Sequence, residues 1–185
     1  MKFHRRSITL IFLIPLLIYA LAGCSPNKIT ADPQVEAINT IRKLLDLPDQ
    51  PLEFVKMSGM INSPSGNLRV ALYRDSQGRE FLVDPESNQV VEIDARSVLS
   101  KIPSNAPALS DEELRSKVVG YFSAAIPDFD TLKSGWLYEE GIKGDNYFYT
   151  WYDEITPGAF NRPFAQIAIH KSGELFGFYN TLLIK

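Results

Sequence analysis

The sequence predicts an α+β protein made of two similar units, each with one helix packed on a three- to four-stranded antiparallel sheet. Three observations lead to this prediction. Apolar residues recur at the helical period in two separate segments, short alternating segments follow each of them, and turns rich in Gly, Asn and Pro separate the short segments. A helix followed by consecutive hairpins is typical of an antiparallel sheet with helices on one side.

Composition and charge exclude several other classes of protein. The chain has 185 residues, of which 45% are hydrophobic and 22% are charged, so it is neither collagen, nor a coiled coil, nor a disordered chain. The formal charge of −3 argues against nucleic-acid binding. One Cys excludes an intramolecular disulfide, and two His leave little material for a metal site.

Residues 1–24 have the features of an export signal. Three basic side chains lie within residues 2–6, and residues 8–22 form an apolar run that is short for a membrane span, which needs about 20 residues. The run ends in residues that resemble a bacterial lipobox: Leu21, Ala22, Gly23 and Cys24. In proteins with this motif, the Cys thiol receives a diacylglyceryl group and a peptidase cleaves before it. We therefore predict a lipoprotein signal peptide at residues 1–23; the alternative is an uncleaved anchor with an incidental Cys.

A lipid on Cys24 would hold the protein at a membrane, with residues 24–31 as a short tether and the body outside the cytoplasm. Each buried CH₂ group of the acyl chains contributes roughly 0.8 kcal/mol, so two or more chains make release slow. Ser25 follows the Cys, where an Asp would be an inner-membrane retention signal. The predicted location is the cell membrane or, in a bacterium with two membranes, the outer membrane.

Residues 32–99 are predicted as the first unit. Asp32 is suited to a helix N-cap, Pro33 to the first helical position, and the Leu-Pro-Asp sequence at residues 47–49 to the helix end. The apolar stripe of this helix is predicted to contain Val35, Ile38, either Ile41 or Arg42, and Leu45. Antiparallel strands are predicted at residues 52–57, 68–73, 80–84 and 90–93.

Residues 100–109 are predicted as a linker because they contain two prolines and have no periodicity, and residues 110–185 as the second unit. Ser110 and Glu113 have the spacing of a capping box at the start of the second helix. Its buried stripe is predicted to contain Leu114, Val118, Tyr121, Phe122 and Ala125. Strands are predicted at residues 136–140, 147–152, 163–170 and 174–179.

An internal duplication explains the similarity of the two units. Residues 47–49 match residues 126–128, which also end a helix with Pro-Asp. Residues 87–90 match residues 172–175 in a turn before a strand. Each unit alone is marginal in size for an independent core, so the two are expected to pack together.

The same residues resemble a known family. The segment Phe81-Leu82-Val83-Asp84, followed by Ser87-Asn88-Gln89-Val90, is similar to the PepSY domain. The second unit, with Tyr149-Thr150-Trp151 and residues 164–169, is similar to the related YcdB/YcdC-type repeats. The resemblance covers most of residues 32–180 and implies a binding or inhibitory module that acts on peptidases or other envelope proteins. It implies no catalytic residue.

The sequence predicts no catalytic residue, no cofactor and no metal site. It contains none of the common hydrolase, zinc-protease or nucleotide-binding motifs, and His170 is the only His outside the signal peptide. The candidate binding surface consists of aromatic residues in the second unit: Tyr147, Tyr149, Trp151 and Phe160. Aromatic side chains supply large contact areas at interfaces. The alternative is that these rings form a core between the two units.

Two functions remain open from the sequence. The preferred one is a non-catalytic, membrane-tethered module that binds an envelope protein and restrains a peptidase. The alternative is a structural or assembly lipoprotein of the cell envelope. Either function requires a protein partner, a peptidase or an assembly complex, together with membrane attachment through the N-terminal lipid.

We predict that Cys24→Ala abolishes lipidation, because only a thiol at this position can receive the diacylglyceryl group. The unprocessed chain should migrate more slowly on a gel than the wild-type protein and should incorporate no labelled palmitate. Ser25→Ala is the matched control and should be processed and labelled normally. Equal migration and equal labelling of Cys24→Ala and wild type would contradict the lipoprotein prediction.

Overall fold

The computed structural model describes residues 33–63, 66–153 and 163–182 of the chain. The helices are α1 (Pro33–Leu45), α2 (Arg96–Leu99), α3 (Asp111–Ala125) and α4 (Phe129–Leu132), with a 3₁₀ turn at Lys133–Gly135. The strands are β1 (Leu52–Ser63), β2 (Gly66–Asp75), β3 (Glu80–Val83), β4 (Val90–Asp94), β5 (Trp136–Lys143), β6 (Asn146–Asp153), β7 (Phe164–His170) and β8 (Leu175–Asn180). The predicted signal peptide, lipobox and tether lie outside the described residues. Within the described ranges, no helix has the length and apolar character needed to cross a membrane.

All eight strands form one antiparallel sheet, in the order β1-β2-β3-β4-β8-β7-β6-β5. The α+β class and the antiparallel strands are therefore confirmed, but the expectation of two separate sheets is wrong. Strands β4 and β8 join the two halves through three residue pairs, of which Ile93–Phe178 is the central one. Pairing these strands removes two edges that would otherwise carry unpaired backbone groups. Asp32–Lys185 accordingly forms one compact unit.

Helix α1 begins at Pro33 as predicted, but its buried face is rotated relative to the predicted stripe. Ala37, Ile41 and Leu44 are buried, whereas Val35 is 50% exposed. The buried positions follow the i, i+4, i+7 spacing of a single helix face, and Val35 lies outside it. The helix ends where Asp46 adopts a left-handed conformation with φ of 53°.

Helix α3 has the predicted start and the predicted core face. The N–H of Glu113 donates to Oγ of Ser110 at 3.3 Å, and the N–H of Ser110 donates to Oε2 of Glu113 at 2.8 Å, which confirms the capping box. Four of the five stripe residues are buried: Leu114, Val118, Phe122 and Ala125. The fifth, Tyr121, is half-buried. The predicted linker at residues 100–109 contains no helix or strand.

One hydrophobic core lies between the helices and one face of the sheet. The helices contribute Ala37, Ile41, Val98, Leu114, Phe122 and Phe129, among others. The sheet contributes alternate residues of successive strands, including Tyr73, Phe81, Ile93, Phe178, Ile167 and Tyr149. Residues from both halves of the chain belong to this core. The ring of Phe122 lies 4.6 Å from that of Trp151 and 5.9 Å from that of Phe178, measured between centroids.

We predict that Trp151→Ala lowers the free energy of unfolding by about 3–5 kcal/mol, the usual loss for truncating a large aromatic core residue. Trp151 is 6% exposed and contacts the rings of Phe122 and Phe129, with centroid distances of 4.6 and 5.2 Å. Ile142→Ala is the matched control, because Ile142 is 67% exposed and its truncation should change stability by less than about 0.5 kcal/mol. Urea denaturation measures the free energy of unfolding of both variants. A loss below about 1 kcal/mol for Trp151→Ala would contradict its place in the core.

Candidate functional site

The second face of the sheet carries no helix among the described residues. One row of cross-strand neighbours crosses all eight strands on this face: Lys56, Leu72, Leu82, Glu92, Tyr179, Gln166, Thr150 and Glu139. We call the surface around this row the helix-free face. Its mixture of acidic, amide, aromatic and aliphatic side chains contrasts with the apolar row on the helix side of the same strands.

Three shallow grooves on the helix-free face share residues and so form a continuous surface. Their volumes are about 280, 410 and 390 Å³. The first and second grooves both include Glu92 and Asp94, and the first and third both include Gln166. The first groove lies over the β4–β8 junction, at the centre of the sheet. Because of this position, it is bordered by residues of both halves of the chain.

An aromatic row lies beside the central groove. The rings of Tyr152 and Phe164 have centroids 6.1 Å apart, and the ring of Phe164 stacks on that of Tyr179 at 5.3 Å. Tyr179 is the cross-strand neighbour of Glu92. Burial, together with the charge of Glu92, raises the pKa of the Tyr179 hydroxyl. This hydroxyl therefore stays protonated and can donate a hydrogen bond at neutral pH.

Glu92 lies at the centre of the helix-free face and has no ion-pair partner among the described residues. Arg74 pairs with Glu80 at 2.5 Å, and Arg96 pairs with Asp94, whose pKa is lowered mainly by the hydrogen bonds from this guanidinium. No cationic group of the described residues lies within ion-pair distance of Glu92. Burial and then the neighbouring charge of Asp94 raise the pKa of its carboxyl group, and the charge of Arg96 offsets this only in part. The described surroundings of Glu92 therefore disfavour the ionised form of its carboxyl group relative to water.

Three of the four residues of the predicted aromatic surface are buried or half-buried. Tyr149 and Trp151 are 2% and 6% exposed on the helix side of the sheet, so the expectation that they form a binding platform is corrected in favour of the core alternative. Tyr147 is half-buried and packs against the same core. Phe160, like Leu21, Ala22, Gly23 and Cys24, lies outside the described residues.

The alternation of strand β6 explains this correction. Tyr147, Tyr149 and Trp151 share one face of the strand, and Phe148 and Tyr152 share the other, as period-2 geometry requires. Both sets are aromatic, so the sequence does not indicate which of them the helices cover. The useful signal lies in β4, where Glu92 and Asp94 alternate with Ile93 and mark a face that the apolar core does not include.

His170 lies at the turn between β7 and β8. Its Nδ1 is 2.8 Å from Oγ of Ser172 and accepts the backbone N–H of Ser172 at 3.2 Å. This is a local contact within one tight turn, in which Gly173 has a φ of 85°. In the part of the chain that the structure describes, no group of three or more His, Cys, Asp or Glu side chains is arranged to hold a metal ion.

Comparison with protein-family models, with curated proteins and with solved structures gave no match. The resemblance to PepSY domains therefore stays a prediction.

We predict that Glu92→Gln raises stability at pH 7. The raised pKa means that the folded protein holds the Glu92 proton more tightly than the unfolded chain does. The protonated carboxyl group of Glu92 therefore stabilises the fold below pH 4.5, the ordinary pKa of a Glu side chain. This stabilisation is lost as the pH rises through the raised pKa of the folded protein. Gln has the uncharged form at every pH, so the variant should unfold at a higher urea concentration at pH 7 and at the same concentration as wild type below pH 4.5.

The matched control for this prediction is Glu86→Gln, because Glu86 is an exposed residue in the turn before β4. Its urea midpoint should equal that of wild type at both pH values. A lower midpoint for Glu92→Gln at pH 7 would mean that the ionised carboxylate stabilises the fold, and would contradict the prediction.

Proposed function

We propose that the chain is a non-catalytic protein-binding module of the bacterial cell envelope, tethered to a membrane through a lipid on Cys24, and that an envelope protein docks on its helix-free face. The observation that carries this proposal is the carboxylate of Glu92 at the centre of that face. A partly buried charge with no ion-pair partner among the described residues and a shifted pKa is a candidate functional group.

The chemistry around Glu92 indicates what the partner presents. A Lys or Arg side chain would neutralise the carboxylate, and the aromatic row of Tyr152, Phe164 and Tyr179 would pack around its aliphatic stem. Aromatic and Arg side chains dominate the energetics of protein interfaces, and here Arg74 and Arg96 flank the acidic centre. The partner therefore carries a basic side chain within an apolar contact surface.

The width of the sheet suits a protein partner. Eight strands spaced by about 4.8 Å make a face roughly 34 Å wide. A standard protein interface buries about 800 Å² on each partner, which a face of this width can supply. The grooves are shallow and continuous, as expected for a surface that meets another surface.

We also propose that the two halves of the chain derive from a duplication, with units at residues 32–99 and 110–185. The strand order supports this proposal, since β1 to β4 and β5 to β8 are arranged symmetrically about the β4–β8 junction. Asn88 and Gly173, which correspond in the sequence, have positive φ values of 57° and 85° in equivalent turns. A register irregularity precedes each of these turns, between Leu82 and Val83 and between Ala168 and Ile169.

The test of the docking proposal compares two charge reversals and one truncation. Glu92→Lys should abolish retention of the partner from detergent-solubilised membranes, because it places like charges opposite each other. Tyr179→Ala should weaken binding by about 30-fold, as expected for a contact worth about 2 kcal/mol. Glu112→Lys is the matched control, because it changes the charge equally on the exposed side of α3. Retention of the same proteins by all variants would overturn the proposal.

A further inference from the structure

Strand β5 is an edge of the sheet, and none of the other described strands pairs with its outer side. It pairs with β6 over eight consecutive residues without a register shift, and it is the last strand in the sheet order. The other edge strand, β1, has two register irregularities, which are a common way to prevent edge pairing. Strand β5 has no such irregularity, and Tyr138 and Ile142 are 40% and 67% exposed along it.

The charges of β5 are complementary to those of a second copy of the same strand. Glu139, Gly141 and Lys143 lie on the helix-free side of the sheet, because they alternate with core-side residues such as Tyr138. If two copies pair antiparallel about a two-fold axis at Gly141, Glu139 of each copy lies directly opposite Lys143 of the other. Opposite charges in directly opposed positions stabilise strand pairing. In the described residues, Glu139 and Lys143 are exposed and form no ion pair.

The registers centred on residues 139, 140, 142 and 143 oppose like charges. An axis at Glu139 or at Glu140 places that residue opposite its own copy, and an axis at Lys143 does the same for the lysines. An axis at Ile142 places Glu139 opposite Asp145. Like charges in directly opposed positions destabilise pairing. The register centred on Gly141 therefore brings opposite charges together without opposing like ones.

The remaining acidic residue of the strand does not interfere with this register. Glu140 lies on the helix side, where Nε of Arg115 donates to its Oε1 at 2.7 Å and the hydroxyl of Tyr138 also donates to it. These bonds lower the pKa of its carboxyl group and neutralise its charge within one copy. In the register centred on Gly141, it faces Ile142 of the second copy rather than a charged residue.

We propose that β5 of one molecule pairs antiparallel with β5 of a second copy, centred on Gly141, so that the sheets of the two copies become continuous. The occupant is a second copy because the pattern Glu139-Gly141-Lys143 is its own electrostatic complement. This proposal is independent of the docking function, which depends on Glu92 and the aromatic row.

The test uses the full chain in detergent and measures its mass by sedimentation. Wild type should form a dimer. Glu139→Lys and Lys143→Glu should each weaken the dimer by about tenfold or more, because each places like charges opposite each other. The double variant Glu139→Lys, Lys143→Glu should restore it. An equal mixture of the two single variants should also form a heterodimer, because both lysines of the Glu139→Lys chain then face glutamates of the Lys143→Glu chain.

Glu112→Lys is the matched control and should dimerise like wild type, since it reverses a charge on α3, away from the edge. Thermal melts confirm that each variant is folded, as expected for exposed positions. A monomeric wild type overturns the proposal. Single variants that dimerise as well as wild type also overturn it, as does a mixture of single variants that stays monomeric while wild type dimerises.

Discussion

The pairing of β4 with β8 is the contact on which the rest of the structure depends. It consists of three residue pairs, extended by the N–H of Ala95, which donates to the carbonyl of Phe176 at 3.0 Å. Each half of the chain is close to the size at which a lone core becomes marginal. The junction places Phe178 beside Ile93 and under Phe122, so that both halves contribute to one core. The same junction also brings Glu92 next to Tyr179 on the opposite face.

The local features of the fold could be predicted from the sequence, whereas the long-range ones could not. The capping box of α3 and the alternation of β6 are local patterns, and both are present as predicted. The junction joins residues more than 80 positions apart, such as Glu92 and Tyr179, and no local pattern specifies such a pair. The side of β6 that faces the helices depends on that long-range arrangement, because both of its sides are aromatic.

Asp75 and Glu92 are acidic residues with different surroundings. Those of Asp75 indicate a structural charge, and those of Glu92 indicate a candidate functional one. The carboxylate of Asp75 is buried in the β2–β3 hairpin, where it accepts the N–H groups of Gln77 and Arg79 at 2.9 Å and Nε of Arg79 at 2.5 Å. Burial of this charge is compensated within the chain, as buried ion pairs require. Glu92 is partly removed from water, but no cation of the described residues forms an ion pair with it. None of the described cations pairs with this charge, which is why the docking proposal rests on Glu92 and not on the more deeply buried Asp75.

The edge of β5 and the helix-free face are related by geometry. A two-fold axis perpendicular to the sheet, midway between the Gly141 residues of the two copies, reverses the strand direction but keeps each face on its own side. Two copies joined at β5 would therefore present both Glu92 carboxylates on the same side of one continuous sheet. A partner with two basic contact sites could then bind both copies at once, and the second contact would form at the high effective concentration that the first one creates. Modest affinity at each face is sufficient for stable attachment under this arrangement, so a shallow surface with one partly buried charge does not have to bind tightly alone.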